Sequence, residues 1–423
     1  MKRFSVIALI ALVIVALAMP AAAFENIFGG YWRTRAFTQQ QFSGDNRNES
    51  GDLSRVDTRT RLYYTAKLND NLSFVNKFEF DAVWGDDNLG DIGADGKVFE
   101  IKNSYIDWKK GAIRATAGIQ NFTANRTFSI ADDASGVKLI YTLSDSIVMP
   151  FSWLRVEEGY ENDQGIDDNK LNDGDVDHLT FSPLFKVGDN FRINPTIIYV
   201  TGQDARGLAK FAADLPAGFE FDNIDAIATT LNVDADLDFA SIWFTGGFQS
   251  CSIKVTDGTA SDDVDLSGYL IAMGADANLG PAAVHGQVFY ASGDEDDDFD
   301  GGAWIAFPGA SYYWSEIMGQ GIFDNRPSNG SPGIKVSDIY AGNLGATLKP
   351  MDKLTVTMDV WYAALAEDNA AGDDKLGTEV DLKVTYKLVE GLNLDVVGAY
   401  LFADDATGDD DPIEVGTRLS ISF

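Results

Sequence analysis

The sequence holds a single cysteine, Cys251, so no internal disulfide can staple it. Histidine is as scarce. His178 and His285 are the only two, and neither sits in a Gly-x-Ser-x-Gly or His-Glu-x-x-His pattern. A hydroxyl nucleophile needs a base within hydrogen-bond reach, so the common hydrolase constellations are excluded and the chain reads as a non-enzyme. Cations are also short: 32 Lys and Arg stand against 65 Asp and Glu, a formal charge of −33. Binding phosphate requires clustered basic residues, so nucleic acid is excluded as a partner. Beyond residue 19 no apolar run is long enough to cross a bilayer as a helix.

The one long apolar run lies at the start. Lys2 and Arg3 precede Phe4 to Met19, which carries no charge, and Pro20 and three alanines follow. Small residues at Ala21 and Ala23 suit a signal-peptidase cut before Phe24, which predicts a secretory signal over 1–23 and a mature domain over 24–423.

What fills the mature chain is a hairpin beat. In Val56 to Gly85, Thr60, Leu62, Tyr64, Ala66 and Leu68 alternate with Arg59, Arg61, Tyr63, Thr65 and Lys67, and a second alternating run follows the turn at Asn69 to Asn71. Tight turns recur at Lys109 to Gly111, Ser144 and Asp145, Gly188 to Asn190, Asp238 and Phe239, Gly280 and Pro281, Lys349 to Asp352, and Val389 to Gly391. Longer, acidic, Gly- and Asn-rich connections alternate with them at about 41–55, 86–97, 121–135, 157–176, 202–224, 251–263, 293–335, 364–376 and 403–411. That asymmetry belongs to an all-β, closed antiparallel transmembrane β-barrel with short periplasmic turns and long extracellular loops. Eighteen strands fit; sixteen is the alternative, because Pro150, Pro183 and Pro195 fall inside strands and cannot donate to a ladder.

A soluble exported β-sandwich or β-helix would also alternate, but its acidic connections need not fall at one end. In a bilayer every backbone polar group must be paired internally, so the outward parity must be apolar. Val380, Leu382, Val384, Tyr386 and Leu388 satisfy that, while Glu379, Asp381, Lys383, Thr385 and Lys387 on the other parity predict a wet interior. Tyr64, Trp84, Tyr199, Tyr269, Tyr290, Tyr386 and Tyr400 lie toward strand ends, as aromatic girdles do.

The chain stops on Arg418 to Phe423, inside a strand pattern. The signal, the hairpin beat, the acidic loops and this terminal strand resemble the general outer-membrane porins of Gram-negative bacteria. The resemblance implies a water-filled channel in the outer membrane for passive diffusion of ions and small hydrophilic solutes. It also implies that Phe423, with Ile421 and Leu419, is read by the barrel-assembly machinery. Outer-membrane lipid and that machinery are then the expected partners, with a homotrimer as the candidate assembly. One departure concerns the pore: the family's constriction loop after the fifth strand often carries Pro-Glu-Phe-Gly-Gly, which Asn121 to Ser135 lacks. A substrate-selective channel and a conduit barrel housing a partner protein stay open as alternatives.

Charge on the lumen parity is segregated. Arg33, Arg35, Arg59, Arg61, Lys67, Lys77, Lys102, Arg114, Lys138, Lys186 and Arg192 lie in the first half of the chain. Asp234, Asp236, Asp276, Asp359, Glu379, Asp381, Asp395 and Glu414 lie in the second. The two halves of a closed barrel face each other, so a basic arc is expected opposite an acidic arc, with Glu79, Asp81, Lys383, Lys387 and Arg418 as exceptions. Acidic loops that gather cations and a basic arc that slows them predict a mild cation preference in dilute salt.

Two loop features remain. Asp296, Asp298 and Asp300 before Gly301 imitate the start of a calcium loop, but Phe307 stands where a bidentate Glu belongs. Loosely bound Ca²⁺ is the only cofactor they suggest. The longest connection, Gly293 to Lys335, carries Trp304, Phe307, Tyr312, Tyr313, Trp314, Ile317, Met318 and Phe323, too many large apolar groups for a disordered tail. It is expected to fold into the mouth or to pack on a neighbouring subunit, with the inward fold favoured.

Overall fold

The computed structural model describes residues 24–44, 52–86, 90–91, 99–157, 175–203, 220–256, 261–294 and 301–423. The signal over 1–23 and the aspartates Asp296, Asp298 and Asp300 lie outside the described residues. The strands are β1 (Glu25–Gln40), β2 (Leu53–Asn69), β3 (Leu72–Val83), β4 (Phe99–Lys110), β5 (Ile113–Ala124), β6 (Ile130–Ser144) and β7 (Ile147–Glu157). There follow β8 (Val176–Phe181), β9 (Leu184–Val187), β10 (Phe191–Gln203), β11 (Glu220–Asp236), β12 (Ala240–Thr256) and β13 (Ser261–Asn278). The last are β14 (Ala282–Ala291), β15 (Ile339–Met351), β16 (Leu354–Ala364), β17 (Lys375–Val389), β18 (Leu392–Ala403) and β19 (Ile413–Ser422).

Strands adjacent in the chain pair antiparallel, except that β8 and β9 each pair with β7 and β10 rather than with each other, and β1 pairs with both β2 and β19, so the sheet closes. In the closing register Arg33 lies beside Arg59 on one side and Ser420 on the other. Closure removes both edges, which is the one way a sheet leaves no backbone group unpaired. Short turns gather at one end of the barrel and long connections at the other.

The prolines explain why nineteen strands make eighteen staves. β8 and β9 both pair with β7 and with β10, so they are two halves of one stave interrupted at Ser182 and Pro183. Pro195 lies opposite that interruption, and neither proline has an N–H to give. The side chain of Asn194 fills the gap: its Nδ2 donates to the carbonyls of Ser182 at 3.0 Å and Pro183 at 2.9 Å. Ser182 N–H in turn reaches the carbonyl of Pro150 at 3.1 Å. The eighteen-strand reading therefore holds and the sixteen-strand alternative does not.

Side chains alternate as the strand period requires. Along β17, Leu382, Tyr386 and Leu388 are exposed on the outer wall while Glu379 and Asp381 are buried on the inner. On the outer wall Tyr269, Tyr290, Tyr340, Tyr362 and Phe402 ring the long-loop end, and Phe28, Trp108, Tyr141, Phe191 and Phe239 ring the short-turn end. Leu419 and Ile421 share the outer parity of β19, and Phe423 extends the seam, exchanging backbone hydrogen bonds with Gly30 at 2.8 and 3.1 Å.

If the outer wall faces lipid, Leu382→Arg should cost about 2–4 kcal/mol of unfolding free energy near the bilayer midplane, whereas Thr357→Arg on the inner parity should cost under about 1 kcal/mol. Guanidinium titration of the barrel folded in phospholipid vesicles checks this, and equal costs would contradict the assignment of faces.

Candidate functional site

Two inward folds shape the lumen. The first is the connection from β14 to β15. Trp304 N–H donates to the Ser292 carbonyl at 2.8 Å, and its ring lies fully buried over Gly247, on the inner wall. A Cβ at the neighbouring Gly268 would strike the Ala303–Trp304 backbone, so this position accepts only glycine if the loop is to dock. The loop then crosses the barrel: Ala131 N–H donates to Gly309 at 2.7 Å, and Ser311 N–H to Thr127 at 3.2 Å. Returning, Tyr312 stacks on Phe128 with centroids 3.8 Å apart, and Trp314 meets Phe289 and Trp361 edge-on.

The turn at Ser315 to Met318 is held by one carboxylate. Glu379 accepts the Ser315 hydroxyl at 2.9 Å, Ile317 N–H at 2.7 Å and Met318 N–H at 2.9 Å. Phe323 then stacks on Phe37 at 4.7 Å, Asn325 Nδ2 donates to Gln39 at 2.7 Å, and Asn329 Nδ2 donates to the Thr407 carbonyl at 2.8 Å. A segment bonded to β1, β6 and β17 in turn can run only through the interior. Of the two expectations for this loop, the inward fold is the one observed. Trp304, Trp314, Ile317, Met318 and Phe323 are buried inside and unavailable to a neighbouring subunit.

The second fold replaces the long connection expected at 121–135. Residues 113–124 and 130–144 continue as strands, leaving a short 3₁₀ turn at Asn125–Thr127 whose three residues have φ of 53°, 52° and 73°. This hairpin tip bends across to β11 and β12, where Arg126 pairs with Asp234, donates to Thr245 Oγ1 at 3.0 Å and lies 4.9 Å from the Trp243 ring. Behind it Phe122, Ile130, Leu154, Val176, Ile198, Val200, Ile224 and Phe307 form an apolar core inside the barrel. His178 is buried there against Phe307, its Nε2 without a hydrogen-bond partner. The hairpin tip after the fifth strand thus folds inward although Asn121 to Ser135 carries no Pro-Glu-Phe-Gly-Gly stretch.

Among the described residues, two chambers stand out in the lumen. The larger, about 1530 Å³ on the long-loop side, is lined by Arg59, Arg61, Lys77 and Lys102 with Glu79, Glu100, Asp132 and Asp133. The smaller, about 360 Å³ on the short-turn side, is lined by Asp276, His285, Asp359, Asp381 and Glu316 among three tryptophans. Tyr313 belongs to both linings and marks the partition. Its hydroxyl donates to Asp324, and burial together with that carboxylate pushes its pKa up to about 12, so it stays neutral. Burial also pushes the Glu316 carboxyl up, against the pull of the Ile322 N–H and Lys383.

The two charged arcs are less bare than expected. Arg35 pairs with Asp57 at 2.7 Å, Arg59 with Glu79 at 3.3 Å and Asp81, Arg61 with Glu79, Lys102 with Asp133 at 3.5 Å, and Arg114 with Asp107 at 2.8 Å. Lys67 pairs with Asp70 at 3.3 Å and Arg192 with Asp236 at 2.8 Å, beside Lys186. Lys138 Nζ lies 4.6 Å from the Phe122 ring, and buried Arg33 has an Nε with no hydrogen-bond acceptor. Of the acids, Asp395 pairs with Arg418 at 2.8 Å, Asp359 accepts His285 Nε2 at 2.8 Å and Asn343 Nδ2 at 2.6 Å, and Glu414 accepts Gln39 Nε2 at 2.6 Å. Asp57, Asp107, Arg126, Glu316 and Asp324 were missed as site residues; hairpin register alone exposes the first two.

No family model and no curated protein sequence matches the chain. Solved structures match as folds. OpdK of Pseudomonas aeruginosa, crystallised with vanillate, is 10% identical with a TM-score of 0.58, over 94% of this chain and 98% of that one. A BenF-like porin of Pseudomonas fluorescens is 11% identical with a TM-score of 0.59, over 94% and 99%. OccAB4 of Acinetobacter baumannii is 10% identical with a TM-score of 0.58, over 96% and 100%. The chain has the porin-type barrel fold along nearly its whole described length.

Removing the Glu379 carboxylate leaves three loop donors without an acceptor, each loss costing about 1–3 kcal/mol when buried. Glu379→Ala should therefore undock the loop and raise single-channel conductance, with Glu379→Gln intermediate. Planar-bilayer recording checks it, and unchanged conductance in both variants would contradict the anchoring role.

Proposed function

We propose that this chain is an outer-membrane channel for passive diffusion of small hydrophilic solutes, selective rather than general. The observation that carries the reading is the pair of chambers separated by Tyr313 on a loop fixed across the lumen. A general diffusion porin needs only a wide polar bore; a bore divided by an anchored loop makes a solute contact charged walls in sequence. The long connections are then extracellular and the short turns periplasmic. The cation preference expected in dilute salt is a property of the acidic mouth, whereas selection arises from binding inside.

Vanillate, bound by the OpdK structure, is an aromatic carboxylate. Arg59, Arg61, Lys77 and Lys102 are the donors that a carboxylate entering the larger chamber would share with the wall carboxylates, since Arg59, Arg61 and Lys102 already pair with Glu79, Asp81 and Asp133. The assembly role of Phe423, a homotrimer and loose calcium on the acidic loops stand beside this as proposals, and no enzymatic step is assigned.

Vanillate should block ion current saturably, and Arg59→Gln with Arg61→Gln should raise the half-blocking concentration by at least about tenfold, since each charge-assisted hydrogen bond contributes roughly 1.5–3 kcal/mol. Block should weaken from about 0.1 M to about 1 M salt as the Debye length falls from roughly 10 to roughly 3 Å. A conducting channel with no saturable block by vanillate or related carboxylates would favour the general porin.

A further inference from the structure

The tip of the β5–β6 hairpin is backbone under strain. Asn125, Arg126 and Thr127 all have φ between 52° and 73°, a region that L-residues enter singly and at a cost. Asn125 gains little by it: the residue is buried, yet its Oδ1 has no hydrogen-bond partner. What the turn achieves is to aim Arg126 across the lumen at β11 and β12. A turn of this kind persists only where contacts elsewhere hold it.

The place where Arg126 lands is built for its head group. Asp234 supplies the carboxylate, the Val233 carbonyl lies 3.5 Å from Nη2, and Thr245 Oγ1 accepts Nε–H at 3.0 Å. That hydroxyl is itself oriented, because it donates to Asn232 Oδ1 at 2.8 Å and so turns a lone pair toward the guanidinium. Trp243 adds an aromatic face 4.9 Å away. Its indole is backed by Gly274, where a Cβ would come within 2.6 Å of Nε1, Cε2 and Cζ2, so the ring presses on bare backbone and leaves its other face for Arg126.

Carboxylate, carbonyl, oriented hydroxyl and indole face together recognise a guanidinium by charge, by its fork of donors and by its flat cationic surface. None of these contacts requires that the guanidinium belong to residue 126. Trp243 also lines the smaller chamber, which puts this wall within reach of a solute.

We propose that this is a guanidinium-binding site that the chain keeps closed with its own Arg126, a tethered occupant that a solute guanidinium displaces. The site goes beyond the selective-channel reading and does not require it. The strained tip favours the exchange, since relaxation of three left-handed residues offsets part of the loss of Arg126's contacts.

The test is calorimetric titration of the refolded barrel in detergent with ethylguanidinium chloride. Arg126→Ala empties the site and should bind the cation saturably, with the wild type at least about tenfold weaker because a tethered competitor acts at high effective concentration. Adding Asp234→Asn to Arg126→Ala should weaken binding about tenfold, as for loss of one charge-assisted contact. Arg126→Gln, which keeps a polar side chain without the charge, takes its place if Arg126→Ala fails to fold. No saturable binding to the emptied site, binding as tight in the wild type, or no weakening by Asp234→Asn overturns the proposal. Binding is read without current, so a folded barrel that binds the cation but does not conduct would overturn the channel reading alone.

Discussion

The carboxylate of Glu379 accepts three hydrogen bonds at the turn where the long loop meets β17, and the shape of the lumen depends on that contact. A closed strand wall uses up its own backbone donors and acceptors in the ladder. Inward side chains therefore carry most of the docking, helped by the few wall backbone groups left free of the ladder, such as Ala131 N–H. Glu379 does so with an acceptor strong enough to fix a turn, and Gln39, Arg35 and Gln287 extend the docking line around the wall. Fixing the turn places Tyr313 between the chambers, and the partition follows from it.

Polar anchors orient the loop, but apolar burial supplies the larger driving force. Ordering a residue costs about 1–2 kcal/mol of backbone entropy, so a loop of this length must bury a great deal to stay docked. Trp304, Trp314, Ile317 and Met318 provide that area against Leu270, Phe289, Trp361 and Leu401 on the wall, and Phe323 adds to it against Phe37 and Val397. A buried tryptophan contributes roughly 4–6 kcal/mol at the usual area coefficient. The barrel therefore has a core inside its lumen, and the open space is what that core leaves.

Legibility in the sequence followed the range of the interaction. The wall was readable because strand period and hairpin turns are local: Thr60, Leu62 and Tyr64 against Arg59, Arg61 and Tyr63 reveal both faces in one glance. The local ion pairs were nearly so, since hairpin register sets Arg59 beside Asp81 and Arg35 beside Asp57. Pro183 and Pro195 signalled a fault, though not that Asn194 would mend it. The inward folds were harder, because Arg126 meets Asp234 across more than a hundred residues of chain. One signal for them was present. Ile198 and Val200, Ile224 and Ala226, Leu270 and Ala272 are apolar on the parity that a water-filled barrel would make polar, which marks a wall covered from within.

The central claim is that the loop stays docked in the lumen while the channel conducts. The most direct measurement joins Phe37→Cys to Phe323→Cys by a short thiol-reactive linker, in a Cys251→Ser background, and records single-channel current before and after. The account predicts efficient cross-linking with conductance essentially unchanged. Failure to cross-link, or a large change in conductance on linking, would mean that the conducting channel keeps this loop elsewhere.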